Sequence, residues 1–249
     1  MKKIGIVGGV GWPSTVEYYA GICRLADERH VASRRAGLAS TPEMAIESLD
    51  LARAVGVLGT DGNEASWSRF EEYHRLALQR LEVGGAECAI MASNTPHHRF
   101  EQIVRGIGIP VIDLFEVVAR ESARAGARQV LVLGTALTMR SPRLRDAFAR
   151  HGVDADGPGE EAAWGTTAGL IARLQGGRHE GAAGALGEMA SAWLAGRPGT
   201  GAMVCLACTE LPLAFPELKS LSIFEAAGVT YANTTAMHIR AAFEFAVGE

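Results

Sequence analysis

The chain has 249 residues, of which 48% are hydrophobic and 21% charged. This balance is typical of a folded protein, and the length suits one large α/β domain or two smaller lobes. A net charge of −4 leaves no basic field to hold nucleic acid or an anionic membrane. No stretch reaches the roughly 20 apolar residues of a transmembrane helix, and four cysteines do not indicate a disulfide scaffold. We therefore expect a cytoplasmic protein with reduced thiols.

Short apolar runs, each followed by small or polar residues, predict the strands of a parallel sheet covered on both faces. The first run is too short and too rich in glycine for a signal peptide, so we interpret it as the first strand. The stronger candidates are Ile4–Gly9, Cys88–Ala92, Val130–Gly134 and Ala202–Leu206, and the weaker ones are Glu43–Leu49, Pro110–Asp113 and Val229–Tyr231.

Apolar residues three and four positions apart predict helices between these strands. The helical patterns cover Ser14–Arg29, Trp67–Val83, Leu114–Ala125, Ser141–His151, Ala183–Leu194 and Thr234–Val247. Strands that alternate with helices favour an α/β fold, in which helices cover both faces of a mainly parallel sheet.

Two segments almost half the chain apart resemble each other. Gly84–Thr95 and Gly199–Glu210 each contain a glycine turn, an apolar strand and then Ala-(Ser/Cys)-(Asn/Thr). The similarity aligns Ser93 with Cys208. Two equivalent lobes would bring these strand ends to one cleft, because ligands of parallel sheets bind beyond the carboxyl ends of the strands. Chance similarity between two strand-loop segments is the alternative.

Cys208 follows an apolar strand and precedes Thr209 and Glu210, which we expect to open a helix. The positive end of a helix dipole stabilises a thiolate, so we predict that Cys208 is a reactive thiol. A small core residue is the alternative.

The spacing of Cys205 and Cys208 matches a C-x-x-C redox or metal motif. However, Cys205 lies inside the predicted strand, and Cys23 and Cys88 lack the spacing of a second pair of zinc ligands. We therefore expect no metal site, and we interpret Cys88 and Cys205 as core residues.

The glycine-rich turn Gly8–Thr15 joins the first strand to the first helix. Its backbone N–H groups and the helix start would suit a carboxylate, with Gly9, Ser14 and Thr15 as candidate ligands. The spacing matches neither a dinucleotide loop nor a phosphate loop. A tight turn without a ligand is the alternative.

Polar side chains follow two further strands. Asn94 and Thr95 suit carboxylate binding, and His97 is a candidate for tuning a proton transfer. Thr135 and Thr138 would add hydroxyl donors, or would serve only as a helix cap and turn.

His238 lies on the last predicted helix, where it would tune a proton transfer or simply pack.

Five segments together resemble the aspartate/glutamate racemase family, the cofactor-independent amino-acid racemases. They occur in the family's order across almost the whole chain, as Gly8–Thr15, Asn94–His97, Gly134–Met139, Cys208–Leu213 and Thr234–His238. The resemblance implies two flavodoxin-like lobes related by a pseudo-twofold axis, with the active site in the cleft between them. Here the lobes would comprise residues 1–98 with 208–249 and residues 99–207. It further implies no cofactor, a small amino-acid or dicarboxylate substrate, and a homodimer.

In most of the family, two cysteines flank the α-carbon, and one removes the proton while the other returns one. The resemblance assigns Cys208 as the principal acid/base and puts Ser93 at the other cysteine position. A serine hydroxyl is a much weaker base, so a symmetric two-thiol mechanism is not expected. Similar family members with threonine there are racemases that prefer the L-substrate. Asn94, Thr95, Thr209 and Glu210 would help to bind the substrate.

Arg34 and Arg35 do not reproduce the substrate loop of many aspartate racemases, although either could meet a second carboxylate. The leading hypothesis is therefore a racemase for aspartate, glutamate or a relative. One alternative is a one-thiol enzyme, either a decarboxylase of the arylmalonate type or a cis-trans isomerase. The other is a carboxylate-binding protein without catalytic activity.

Overall fold

A computed structural model describes residues 1–34, 36–60, 62–159, 161–197 and 201–248. The chain forms two compact units, Met1–Asp113 with Ile239–Glu249 and Leu114–His238. These bounds differ from the lobes predicted above, 1–98 with 208–249 and 99–207. The difference arises because the strand that follows Cys208 pairs within the sheet of the second unit, as described below.

The first unit contains a three-stranded parallel sheet. Its elements are β1 (Ile4–Gly8), α1 (Trp12–Ala32), β2 (Met44–Ser48), α2 (Leu51–Gly56), α3 (Ser68–Val83), β3 (Cys88–Met91) and α4 (Phe100–Ile103), with 3₁₀ turns at Glu64–Trp67 and Thr95–Arg99. The strand order is β2-β1-β3, and Ile4 is in register with Met44 on one side and Cys88 on the other.

Burial explains which strands of this sheet gave a clear sequence pattern. β1 and β3 are buried along their whole length, so both are continuously apolar. β2 is an edge strand and is partly exposed, which explains its weaker pattern. Tyr18 and Ile22 of α1 pack in one core cluster with Ile4 and Ile6.

The second unit contains a five-stranded sheet. Its elements are α5 (Leu114–Arg124), β4 (Gln129–Gly134), α6 (Ala136–Met139), α7 (Pro142–Arg150), β5 (Asp154–Asp156), α8 (Glu161–Gln175), α9 (Ala182–Ala195), β6 (Ala202–Ala207), β7 (Ile223–Ala226) and β8 (Val229–Asn233), with a 3₁₀ turn at Leu211–Ala214. The order is β5-β4-β6-β8-β7, and only β7 is antiparallel to its neighbour. The last helix, α10 (Thr234–Val247), begins in this unit and ends in the first.

The predicted α/β class with parallel sheets and flanking helices is confirmed. All six predicted helices are present, with ends shifted by up to three residues. Pro110–Asp113, predicted as a weak strand, contributes only an isolated parallel bridge from Val111 to Ala89. Prediction missed the strands β5 and β7 and the helices α2, α4, α6 and α8. In the repeated segment, Gly199 and Thr200 lie outside the described residues.

Among the described residues, no helix is both long enough and apolar enough to cross a membrane.

Candidate active site

In the second unit, three parallel strands end side by side. Gly134 of β4 is in register with Ala207 of β6, and Leu206 of β6 is in register with Asn233 of β8. Cys208 is the first residue after β6, so it lies at the carboxyl edge of the sheet, where α/β proteins bind ligands. The sequence prediction placed Cys208 at such a strand end.

The Cys208 thiol is buried and paired with a carboxylate. Its side chain is 8% exposed, and Sγ donates a hydrogen bond to Glu210 Oε2 at 2.9 Å. Thr209 Oγ1 donates to the same oxygen at 3.0 Å, and Gln175 Nε2 donates to Oε1 at 3.3 Å. Three neutral donors therefore hold the Glu210 carboxylate, which is only 4% exposed.

This environment raises the pKa of the Cys208 thiol well above its usual value. Burial is the largest cause, followed by the charge of Glu210 and the hydrogen bond to it. Hydrogen bonds from the backbone N–H groups of Thr209 and Glu210 act in the opposite direction. The expectation that a helix start lowers this pKa is therefore wrong. Only the short 3₁₀ turn Leu211–Ala214 follows, and the dipole of four residues is small.

A protonated thiol beside a carboxylate can still serve as an acid/base. The carboxylate can take the thiol proton and return it, so the charge moves within a hydrogen-bonded pair. Cys88 and Cys205 lack such a partner among the described residues. Both are fully buried, and burial raises their pKa values to about 11 and about 12, as expected for core residues.

Thr135 and Thr138 are engaged with each other in the turn after β4. Thr135 Oγ1 accepts from the backbone N–H of Thr138 at 3.3 Å and lies 3.1 Å from Thr138 Oγ1. Thr138 is 1% exposed. These two hydroxyls act as a cap and turn, which was the alternative interpretation of this segment.

The start of α10 lies at the same edge of the sheet. Asn233 Oδ1 accepts from the backbone N–H groups of Thr235 and Ala236 at 3.1 and 3.2 Å, so it caps the helix. Thr234 Oγ1 donates to the carbonyl of Leu206 at 3.0 Å and ties the helix start to β6. His238, one turn further on, is completely buried.

In the first unit, the glycine turn and the Ser93 segment lie beside each other. Val7 is in register with Met91, and the backbone N–H of Ala92 donates to the carbonyl of Val7 at 2.8 Å. Gly9 and Ser93 therefore follow neighbouring strand ends. Ser93 and Thr95 are half-buried.

The glycine turn is closed by one of its own predicted ligands. Gly9 has φ of +85°, and a Cβ there would overlap the backbone of Leu49. The backbone N–H of Gly9 donates to Thr15 Oγ1 at 2.9 Å, so this hydroxyl holds the turn. Ser14 is buried, and Gly11 provides no side chain to cap α1.

Asn94 has a buried amide without a hydrogen-bond partner among the described residues. The residue is 6% exposed, and neither Nδ2 nor Oδ1 makes a hydrogen bond to any described residue. Buried polar groups nearly always have partners, so an orphaned amide indicates a group that the protein does not supply. The amide can donate to a carboxylate and accept from an ammonium group.

His97 is a packed residue of the first unit. Nδ1 lies 3.3 Å from Asp113 Oδ1, Nε2 lies 3.4 Å from the carbonyl of Met91, and the ring stacks on Phe100. These contacts fix the turn that follows Asn94. Cys208 belongs to the other unit.

Sequence reasoning missed two residues that support these sites. Asp113, the partner of His97, is the last residue of a weakly predicted strand, and its place at the end of that strand was the available signal. Gln175, a partner of Glu210, gave no signal because α8 was not predicted.

Of the two predicted arginines, Arg34 is exposed, with φ of +52°, and Arg35 lies outside the described residues. The described part of the chain contains no group of three or more His, Cys, Asp or Glu side chains that could hold a metal ion.

Residues 7–242 match the sequence profile of the Asp/Glu/Hydantoin racemase family. The chain belongs to this family. The match covers almost the whole chain and confirms the resemblance seen in the sequence. Membership supports an isomerase of the racemase type that acts on a small amino-acid substrate.

Solved structures of racemases share the fold. An aspartate racemase homologue from Pyrococcus horikoshii is 26% identical, with a TM-score of 0.77 over 99% of this chain and 100% of that one. A putative Asp/Glu racemase from Yersinia pestis is 23% identical, with the same TM-score and coverage. Glutamate racemase from Campylobacter jejuni is 18% identical, with a TM-score of 0.61 over 98% of this chain and 85% of that one.

Proposed function

We propose that this protein is an amino-acid racemase that acts on aspartate, glutamate or a related amino acid without pyridoxal phosphate or another cofactor. The observation that carries the proposal is the Cys208–Glu210 pair at the carboxyl edge of the second sheet. Family membership supplies the reaction type, and this pair supplies an acid/base. The proposal also includes a homodimer in the cytoplasm.

The first proton transfer follows from the pair. Glu210 takes the proton of the Cys208 thiol, and the thiolate then removes the α-proton of the substrate, so the α-carbon keeps the electron pair. Ser93 gives its hydroxyl proton to the opposite face of that carbon and recovers a proton from solvent, while Glu210 releases to solvent the proton that it took from the thiol. Inversion results, and no electrons leave the substrate.

In this proposal Glu210 is the proton partner of Cys208, although the sequence favoured it as a substrate ligand. Its carboxylate is already held by three donors and has a thiol within 2.9 Å. A buried anion would also repel a substrate carboxylate placed in direct contact with it. The observed hydrogen bonds therefore fit a Glu210 that contacts the Cys208 thiol better than one that contacts the substrate.

The carbanion needs strong stabilisation, because an α-carbon is a far weaker acid than a thiol. Fixed donors around the α-carboxylate would supply it as charge develops there. Asn94 is the best-supported donor because its buried amide is unpaired among the residues that the structure describes. Thr95 and the N-terminus of α1 would add further donors, whereas the Thr209 hydroxyl already donates to Glu210.

The test is α-proton exchange in deuterated water, followed by NMR with L- and D-aspartate and L- and D-glutamate. We expect exchange with inversion for at least one pair of enantiomers. Cys208→Ser should abolish it, while Cys205→Ser, a change in the buried strand, should retain activity in whatever fraction of the protein folds. If the wild-type protein binds these amino acids but exchanges none of them, the racemase proposal for these substrates is wrong.

A second candidate is a one-thiol enzyme, either a decarboxylase of the arylmalonate type or a cis-trans isomerase. Ser93 favours it, because a hydroxyl at the second position can bind an oxygen without acting as a base. Exchange from one enantiomer without inversion would support this candidate.

A further inference from the structure

Thr235 has a buried hydroxyl without a partner in the described part of the chain. The residue is 7% exposed, and Oγ1 makes no hydrogen bond to any described residue. Buried hydroxyls in folded proteins nearly always have a partner, and an unpaired one costs free energy. Because the unpaired hydroxyl lowers stability, we expect a functional role for Thr235.

The side chains of the two residues before Thr235 already make hydrogen bonds within the protein. The Thr235 hydroxyl is the one that bonds to no described residue. Asn233 Oδ1 already accepts from the backbone N–H groups of Thr235 and Ala236. Thr234 directs its hydroxyl to the carbonyl of Leu206. The cap and the strand contact at the start of α10 are thus complete without Thr235 Oγ1.

The position of Thr235 connects it to the reactive thiol. Leu206 of β6 is in register with Asn233 of β8, and Cys208 and Thr235 each lie two residues beyond this pair. Both residues are therefore at the same edge of one sheet within the second unit. The Cys208 thiol bonds to Glu210 and not to Thr235, so the hydroxyl has capacity for a third group.

An anion is the group that this place favours. α10 has 14 residues and begins at Thr234, so its positive dipole end lies here, without an acidic side chain in its first turn. Because Asn233 already accepts from the N–H groups of Thr235 and Ala236, the Thr235 hydroxyl is a side-chain donor that remains available at this end among the described residues.

We propose that Thr235 binds the substrate by donating a hydrogen bond from Oγ1 to a carboxylate oxygen. This assignment rests on the proposed function, because it requires a carboxylate ligand beside Cys208. It adds to that function a binding residue in the second unit, whereas the orphaned Asn94 amide belongs to the first.

Ser122 provides a matched control. Its hydroxyl is also completely buried and unpaired among the described residues, but it lies within α5 and not at the carboxyl edge of the sheet. If an orphaned hydroxyl has only a structural role, Thr235 and Ser122 should respond alike when the hydroxyl is removed.

The experiment measures how carboxylates protect Cys208 from alkylation by iodoacetamide, with peptide-resolved mass spectrometry. The full-length protein is compared with Thr235→Val, Thr235→Ser and Ser122→Ala, and the ligands are L- and D-aspartate, L- and D-glutamate, malonate and maleate. We expect Thr235→Val to raise the half-protecting concentration about tenfold or more. Thr235→Ser should stay within about twofold of the wild type, and Ser122→Ala should match it. Thermal unfolding checks that each variant is folded.

The outcomes separate this assignment from the proposed function. Protection of Thr235→Val at wild-type concentrations, or equal losses in Thr235→Val and Ser122→Ala, would overturn the role of Thr235 alone. Failure of all six carboxylates to protect the wild-type protein would contradict both the proposed function and this assignment. If Thr235→Val does not fold, Thr235→Ala takes its place, with the same expected loss.

Discussion

The carboxyl edges of the two sheets carry aligned residues in different surroundings. In the second unit, Cys208 has a carboxylate within 2.9 Å, and that carboxylate has two further donors. In the first unit, the aligned Ser93 has no carboxylate hydrogen-bonded to it among the described residues, and its neighbour Asn94 is orphaned. We therefore propose that the second edge supplies the stronger acid/base, while Asn94 makes the first edge mainly a binding edge.

This difference teaches that similar strand-loop segments need not share a chemical role. A thiol with a carboxylate partner can be both acid and base, whereas an unassisted serine hydroxyl can pass a proton but is a poor base. The comparison predicts an asymmetric enzyme, in which the second edge dominates the chemistry.

A large effect on exchange is expected for Glu210→Gln, which removes the proton acceptor of Cys208 and keeps the shape of the side chain. We predict that α-proton exchange near pH 7 falls about 100-fold. Burial alone keeps the pKa of Cys208 above its usual value, so thiolate is scarce at this pH without a neighbouring base. Exchange by the variant should therefore rise with pH, by about tenfold per unit below the thiol pKa.

Two controls sharpen the Glu210 prediction. Glu217→Gln, at an exposed glutamate of the same unit, should leave exchange unchanged. In Glu210→Gln, the loss of the negative charge should lower the pKa of Cys208, so alkylation of this thiol should have a lower pH midpoint than in the wild type. A variant that loses exchange and alkylation together at every pH would indicate a merely structural role for Glu210.

A smaller effect is expected on the free energy of unfolding, and a comparison of two asparagines tests it. Asn94→Ala removes an amide without a partner, so we expect the free energy of unfolding to change by no more than about 0.5 kcal/mol, although exchange is lost. Asn233→Ala removes a helix cap and the bond from Nδ2 to the carbonyl of Lys219, and should cost about 2 kcal/mol. Urea unfolding measures both. Equal destabilisation of the two variants would show that Asn94 has a structural partner.

The fold could be predicted where local pattern and tertiary structure agree. The buried strands β1, β3, β4 and β6 are continuous apolar runs, and the amphipathic helices have apolar residues three and four positions apart. β5 was missed because it is a three-residue edge strand, Asp154–Asp156, with one buried side chain. The bounds of the units depend on the pairing of β8 with β6, and no local pattern reveals which strands pair.

The positions of the site residues could be predicted better than their electrostatics. Strand ends located Cys208, Ser93 and Asn94. The direction of the Cys208 pKa shift could not be predicted, because it depends on burial and on the Glu210 side chain turning back to the thiol. The role of Thr135 and Thr15 could not be predicted either. Each hydroxyl lies near a strand end but accepts a hydrogen bond from a backbone N–H of its own turn, so it stabilises the turn.

The central claim is that Cys208 and Ser93 are unequal partners, and Ser93→Ala tests it most directly. The measurement is the initial rate of α-proton exchange from each enantiomer of the best substrate in deuterated water. We predict that the variant loses inversion in both directions, because a racemase needs a proton donor on each face. It should still exchange the proton of the enantiomer that faces Cys208, within about twofold of the wild-type rate, while exchange from the other falls about tenfold or more. Equal losses for the two enantiomers, or wild-type inversion in the variant, would contradict the account.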